Sequence, residues 1–428
     1  MFEKVLIPTD LSGPSDNLVA CTGRIRHVNE IVLLHIVTPG SIGVAREEEE
    51  VRRQLGLIAD PAVTVRSLIE TDDGGAIPAA ILRTAEAEKP SLIIMGARTG
   101  ILSRGLLGPG GTEILTRSRT HVLIMRFPGR GLFRAPEPDC TLFARILFPL
   151  DFSRPANEAL AEIAKIGDLS ELLLLHVIRK VEKKEQMNFV VREVEKRLAD
   201  AREAIKRERP DIRVTMMVRY GDPATEIARI AVEEEVSLVA MSRYGKMDYI
   251  RNVPVGITTS KVAAQAKEPV LVLFTAIHLE VLARELDPGE FYLADRIWFD
   301  YHQTKSDPVH DRIFAVFVED TPVSVARCRK HPDGYEVDGI FTWEEFRGHG
   351  YARKAIDALI RGCGSSILYM YAVLQLVDFY TSVGFVPVRE NELPPTIRER
   401  YLWAMGELNG ANVLPMMRVP GREEDPAA

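Results

Sequence analysis

The sequence predicts an α/β protein in three parts: two doubly wound, parallel-sheet domains in tandem, then an α+β domain built on antiparallel hairpins. Three observations carry this. The first two thirds of the chain repeat themselves, the repeated segments are short apolar strands alternating with helices, and the alternation stops near residue 275, where a meander begins.

The repeat is read from four paired segments in the same order. VLIPTDLSGPS (5–15) matches ILFPLDFSRPA (146–156), which lays Asp10 over Asp151. IVLLHIV (31–37) matches LLLLHVI (172–178) at the same offset, laying His35 over His176. PSLIIMGARTG (90–100) then pairs with VSLVAMSRYGK (236–246), and HVLIMR (121–126) with PVLVLF (269–274). Runs this rich in Val, Ile and Leu suit strands covered on both faces. Helical patterns such as 188–208 and 223–235 lie between them, so each half is expected to consist of right-handed β-α-β units. In such sheets ligands bind beyond the carboxyl ends of the strands. Asp10 and Asp151 stand at that end of the first strand of each half. The segments after them, LSGPS and FSRPA, are also good helix starts, so capping is the alternative role for both aspartates.

The Pro- and Gly-rich stretch FPGRGLFRAPEPD (127–139) reads as a linker. The expected domains are therefore 1–127, a linker 128–142, 143–275 and 276–428. In the last of these, RIFAVFVED (312–320), TPVSVARCRKH (321–331) and YEVDGIFTW (335–343) are joined by turn sequences and read as antiparallel hairpins. EEFRGHGYARKAIDALIRG follows, placing Arg347, Gly348, Gly350 and Ala352 between a strand and a helix with apolar positions Ala355, Ile356, Leu359 and Ile360. A turn of small residues there exposes the first N–H groups of the helix, which bind anions well. A plain geometric turn is the alternative.

Composition narrows the function classes. The 428 residues are 46% hydrophobic and 27% charged, with a net charge of −7. That balance fits globular domains and excludes a broad basic footprint for nucleic acid. No apolar run approaches the roughly 18 residues of a membrane span, and the opening MFEKVLIPTD lacks the pattern of a signal peptide. The cytoplasm is the expected compartment. Four scattered cysteines and nine histidines show neither a C-x-x-C pair nor an H-E-x-x-H, so no metal is expected and the cysteines are expected reduced.

On these segments each half resembles a universal stress protein domain, a fold of the adenine nucleotide alpha hydrolase type. The resemblance covers about 1–127 and 143–275 and rests on the strand-Asp-x-Ser opening, the LLH strand, Gly221-Asp-Pro-Ala224 before a helix, and the late glycine region. It implies that Asp10 and Asp151 bind the adenine side of ATP or another adenine nucleotide, with Ile36 and Val177 nearby. It assigns the phosphates to Gly96, Gly100, Gly111 and Thr112 in the first half and to Ser242, Gly245 and Gly256 in the second. The family's Gly-x-x-Gly, nine residues, Gly-Ser/Thr spacing is off by a residue at each step in the first half. The second has Ser242 for the first glycine and Ile257 after Gly256. The family also pairs through its last strand, which implies an internal pseudo-dimer of the two halves and leaves a homodimer open.

From about residue 290 to 419 the chain resembles the GCN5-related N-acetyltransferases. RGHGYA fits their Arg/Gln-x-x-Gly-x-Gly/Ala motif, and DFYTSVGFVPV (378–388) follows strand SILYMYAV (366–373) with the Phe-Tyr, three residues, Gly-Phe mark. The resemblance implies acetyl-CoA held by the backbone of Ile340, Phe341 and Thr342 and by the turn of Arg347, Gly348, His349, Gly350, Tyr351 and Ala352. It implies Tyr380 as general acid at the thioester sulfur. Glu336 occupies the strand position of a base in some members, with a solvated edge residue as the alternative. Trp298, Tyr301 and His302 lie where the family shapes its acceptor site, with covering the core as the alternative, and an amine, whether a small molecule or a protein lysine, is the expected partner. Val373 replaces an Asn or Gln frequent seven residues before the tyrosine. The function expected is acetyl transfer with the tandem domains as a nucleotide-sensing module. The alternative is a nucleotide-binding stress protein whose C-terminal domain only docks.

Overall fold

The computed structural model describes residues 2–22, 25, 28–37, 44–58, 62–71, 76–97, 108–126, 141–179, 184–251, 253–276, 278–299, 304–407 and 413–421. The expected linker core 127–139, Gly100, Tyr301 and His302 lie outside these residues. The chain divides into two compact units, Met1–Ile277 and His278–Ala428.

The first half of unit one runs β1 (Lys4–Thr9), α1 (Gly13–Thr22), β2 (Glu30–Val37), α2 (Val44–Leu55), β3 (Thr64–Thr71), α3 (Ile77–Glu88), β4 (Leu92–Ala97), α4 (Gly108–Arg117) and β5 (His121–Arg126). The second runs β6 (Arg145–Pro149), α5 (Arg154–Ala164), β7 (Glu171–Ile178), α6 (Lys184–Glu208), β8 (Arg213–Tyr220), α7 (Pro223–Glu233), β9 (Leu238–Ser242), α8 (Lys246–Ile250), α9 (Ile257–Gln265) and β10 (Val270–Leu273). All ten strands form one sheet, ordered β3-β2-β1-β4-β5-β10-β9-β6-β7-β8. Every neighbouring pair is parallel except β5 with β10, which run antiparallel from Val270↔Ile124 to Val272↔Val122. The last strand of each half is thus already paired with the other.

The duplication extends to backbone detail. Leu11 and Phe152, one residue beyond the paired aspartates, both take positive φ (58° and 60°), an uncommon conformation for such side chains. The paired histidines also make the same bond. Nδ1 of His35 bonds the carbonyl of Thr9 at 3.0 Å, and Nδ1 of His176 bonds that of Leu150 at 2.7 Å. Each ties the second strand of its half to the carboxyl end of the first. Helix starts follow the sequence signals. Ser153 caps α5 by accepting from Ala156 N, and Asp222 caps α7 by accepting from Thr225 N, each with Pro in the first turn. Strands β3 and β8 were not legible as strands, because both lie at sheet edges and carry polar side chains.

Unit two runs β11 (Val281–Glu285), α10 (Tyr292–Trp298), β12 (Asp311–Val318), β13 (Thr321–His331), β14 (Gly334–Thr342), α11 (Tyr351–Cys363), β15 (Leu368–Val373), α12 (Val377–Thr381), β16 (Val386–Pro387), α13 (Pro395–Glu407) and β17 (Val413–Arg418). Its sheet, β11-β12-β13-β14-β15-β17-β16, is antiparallel except for β14 and β15. Helix α11 packs on β11, β12 and β13. Ile397 and Tyr401 of α13 pack with Tyr369 and Tyr371 of β15. Among the described residues no helix is long and apolar enough to cross a membrane.

Candidate functional site

The parallel ladder between β14 and β15 is two residues long, Tyr335↔Leu368 and Glu336↔Tyr369. Beyond it β14 stays with β13 as far as Thr342, while β15 stays with β17 as far as Val373. The two strands part from a common base. The bend that starts the divergence is Gly339, at φ +58° with an irregular register beside it. A Cβ there would lie 2.9 Å from Cζ2 of Trp298, whose Nε1 donates to the Gly339 carbonyl at 2.7 Å. Only glycine satisfies both the conformation and the space. Ile340, Phe341 and Thr342 follow the bend, on the side where the strands separate.

Beyond them comes the turn. Gly348 (φ +81°) and Gly350 (φ +76°) flank His349, whose φ is not positive. Successive residues of alternating hand form concave nests of N–H groups that receive anions. Gly350 is the N-cap of the 13-residue helix α11 and, lacking a side chain, leaves the first N–H groups uncapped by any side chain of its own. A Cβ on either glycine would meet nothing within 4 Å, so the approach to these N–H groups is open. His349 bonds the carbonyl of Arg347 and stacks on Tyr351. Ala352 sits in the first turn of α11, and its neighbour Arg353 donates to the Oγ (2.8 Å) and carbonyl (2.9 Å) of Ser382. That fork ties the start of α11 to the end of α12, which carries Tyr380. Tyr380 is buried, edge-on to Phe379 and Phe385.

Trp298 takes the core-covering alternative, and Glu336 takes neither of its two expected roles. Trp298 is 0% exposed and holds the β14 bend, so it has no surface for an acceptor. Glu336 is neither a solvated edge residue nor an accessible base. It is 0% exposed; its Oε2 receives His331 Nε2 and Arg400 Nε, both at 2.7 Å, and its Oε1 receives the Tyr371 hydroxyl at 2.6 Å. Burial alone would raise its pKa, but the His331 hydrogen bond, the Arg400 charge and the Tyr371 hydroxyl together hold it below the ordinary carboxylate value. A carboxylate held ionised by three donors has little drive to accept a further proton.

Glu336 instead anchors a network that sequence reading missed. Arg400 also reaches Asp338, which Arg327 grips with two bonds of 2.6 Å. Arg327 and Arg329 share Asp311. The cation of Arg327 also lies over the Trp298 ring at 5.1 Å. The signal was present as alternation, Arg327-x-Arg329-x-His331 facing Glu336-x-Asp338, because residues two apart share one face of a strand.

In unit one, Asp10 Oδ1 accepts from Ser12 N, Ser12 Oγ and Ser15 Oγ. Asp151 accepts likewise from Ser153 N and Oγ, while Ser153 itself caps the helix. The second half brings Asp151, Ser242, Gly245 and Gly256 together. Ser242 is buried, exchanging bonds with Tyr244. Asp151 Oδ2 accepts from Lys246 N at 2.9 Å, and the Asp248 carboxylate accepts from the backbone N–H of Ile257 at the start of α9. A Cβ on Gly256 would lie 2.8 Å from Asp248 Oδ2, and one on Gly245 3.1 Å from Asp151 Oδ2. Burial pushes the Asp248 pKa up, and the Asp151 charge adds to this. Two carboxylates thus occupy the N–H groups next to Gly245 and Gly256, the glycines that the resemblance gives to phosphate. In the first half Gly96 is exposed at the end of β4, whereas Gly111 and Thr112 lie within α4. Ile36 and Val177 are partly buried against the core.

Comparison with known proteins accounts for this architecture. The universal stress protein family model matches residues 1–126 and 142–273, and the acetyltransferase (GNAT) family model matches 279–385. A universal stress protein of Methanocaldococcus jannaschii is 30% identical over 155 residues, covering 31% of this chain and 95% of that protein. Among solved structures, a universal stress protein from Archaeoglobus fulgidus shares 21% identity with a TM-score of 0.46, covering 64% of this chain and 98% of its own. ElaA of Escherichia coli shares 16% identity with a TM-score of 0.24, covering 32% of this chain and 99% of its own. The chain belongs to the universal stress protein family, with two such domains in tandem followed by a GNAT acetyltransferase domain.

Proposed function

We propose that the C-terminal domain transfers the acetyl group of acetyl-CoA to an amine, and that the tandem domains carry an adenine-nucleotide site in their first half. The observation that carries the first part is the juxtaposition of parted strands β14 and β15 with an open, glycine-built N-terminus of α11. Bound acetyl-CoA would supply the acyl group as a thioester whose C–S bond breaks as the new C–N bond forms. The backbone from Arg347 to Ala352 holds the pyrophosphate by its N–H groups and the helix dipole. Ile340 to Thr342 align the pantetheine and the acetyl carbonyl between the parted strands, which lowers the barrier through positioning. Tyr380 gives its proton to the departing sulfur, and Arg353 keeps its helix in register with α11. With Glu336 enclosed, the acceptor's proton leaves through water at the mouth of the site.

The test is calorimetry with acetyl-CoA on the full chain, joined to an assay of free CoA against a panel of amines. Binding with amine-dependent CoA release supports the reading; a folded chain that binds no acetyl-CoA ends it. Gly350→Val should weaken binding by at least about tenfold. A β-branched residue at positive φ costs on the order of 1–2 kcal/mol, and its side chain would intrude on the open N–H groups. Unchanged affinity in that variant would remove the turn from the site. A docking role without catalysis has one observation in its favour, the burial of both Tyr380 and Glu336. It predicts acetyl-CoA binding without turnover on any amine.

In the second half, Asp151 and Asp248 stand against a triphosphate, since like charges repel strongly where burial lowers the dielectric. ATP titration of the full chain should therefore reach no more than one site per chain. Asp248→Asn, which keeps the shape and removes a charge, should add weak binding in the second half. Two equal sites in the unaltered protein would contradict this.

A further inference from the structure

On sequence alone Cys328 and Cys363 are unrelated buried cysteines. The fold brings them together. Cys328 lies mid-strand on β13, opposite Arg312 of β12. Cys363 is the last residue of α11, and Arg312 Nη1 donates to the carbonyl of its neighbour Gly362 at 2.8 Å. Both cysteines line one cavity of about 250 Å³, which His310, Arg312, Lys330 and Tyr335 also border. Both are free, 1% and 4% exposed.

We propose that Cys328 and Cys363 are a dithiol that small hydroperoxides oxidise to a disulfide, stapling β13 to the end of α11. Both thiols border one small cavity, on either side of the Arg312 that faces Cys328 and bonds the carbonyl next to Cys363, so closure asks chiefly for side-chain movement. The roles of the two sulfurs differ. Arg312, bonded to the carbonyl next to Cys363 at the end of α11, sets a cation where it favours the thiolate of Cys363. Cys363 is accordingly the attacking thiolate and Cys328 the resolving thiol. The enclosure of both sulfurs favours a small oxidant over a bulky disulfide.

The chemistry balances in two steps. Sγ of Cys363 attacks one peroxide oxygen and the O–O bond breaks. The departing oxygen takes a proton and leaves as water or alcohol, and Cys363 becomes a sulfenic acid. Sγ of Cys328 then attacks that sulfur, the S–S bond forms, the S–O bond breaks, and the hydroxyl leaves as water with the Cys328 proton. The two thiols lose two electrons and two protons in all, and the peroxide is reduced.

The test treats the full chain with hydrogen peroxide, blocks remaining thiols under denaturing conditions and maps the peptides by mass. The expected product is a Cys328–Cys363 linked peptide, reversed by dithiothreitol, with unfolding of the C-terminal unit raised on the order of 5–15 °C. In Cys328→Ser the oxidation should stop at a sulfenic acid on Cys363, captured by a 1,3-dione probe. If both thiols remain fully alkylatable after excess peroxide, or if either links instead to Cys21 or Cys140, the proposal fails. The unaltered chain alone decides this, so an unfolded variant does not obscure the result.

Discussion

Glu336→Ala should destabilise the C-terminal unit by about 3–5 kcal/mol, the range for removing one member of a buried, hydrogen-bonded ion pair. The cost comes less from the lost bonds than from what stays behind. His331 would face a nearly dry space without its carboxylate, the Tyr371 hydroxyl would lose its acceptor, and Arg400 would keep only its longer reach to Asp338. Glu336→Gln preserves shape and some hydrogen bonding, so it should fall between alanine and the native residue. The pH dependence carries the same signature. The folded pKa of Glu336 lies below its unfolded value. Its contribution is therefore full above the unfolded carboxylate value of about 4.3 and fades as pH falls through the folded one. Stability of the unaltered domain should decline with acid more steeply than that of Glu336→Gln. Urea melts between neutral pH and about pH 3 measure this. Parallel pH profiles for the two proteins would mean that the Glu336 pairing contributes nothing net.

The case of Glu336 also shows where sequence reading stops. The fold was legible wherever pattern and turn chemistry agreed. The strands of β1, β2, β4 and their repeats are apolar almost throughout, and the hairpins of β12 to β14 are punctuated by turn residues. Glycines that must take positive φ at 348 and 350 were found because their spacing is a motif. Gly339, with the same need, was not singled out, since its reason is a tryptophan 41 residues earlier in the chain. Burial was the missing quantity for charged residues. Whether Glu336 is wet depends on Arg400 of α13, 64 residues downstream, and no local pattern announces that helix's place. Cys328 and Cys363 fail to pair on paper for the same reason. Asp248 went unremarked because the motif names glycines, and the acidic side chain that reaches their helix termini lies between them.

Arg243→Ala should be comparably costly in the N-terminal unit, about 3–5 kcal/mol from cavity formation and orphaned buried acceptors together. Arg243 is 3% exposed just past β9 in the second half. Its guanidinium donates to the carbonyls of Thr116 and Ser118, at the end of α4 in the first half, and to that of Pro254 at 2.8 Å. A cation suits the C-terminal end of a helix, where unsatisfied carbonyls gather. Arg126, at the end of β5, reaches across in the opposite sense to the carbonyl of Ala263 in α9. Burial pulls both guanidinium pKa values down, yet an arginine stays charged through the ordinary pH range. The two arginines therefore bolt each half to a helix end of the other, beside a β5–β10 pairing only a few residues long. Joining the halves this way makes them one cooperative unit. The unaltered chain should lose both halves in a single urea transition, whereas Arg126→Ala with Arg243→Ala should split it into two. Tryptophan is useless as a reporter, since all three lie outside this unit. Hydrogen exchange of the β1 and β6 amides, read separately, gives each half its own signal. A single shared transition in the double variant would mean that the β5–β10 strand pair suffices to hold the halves together.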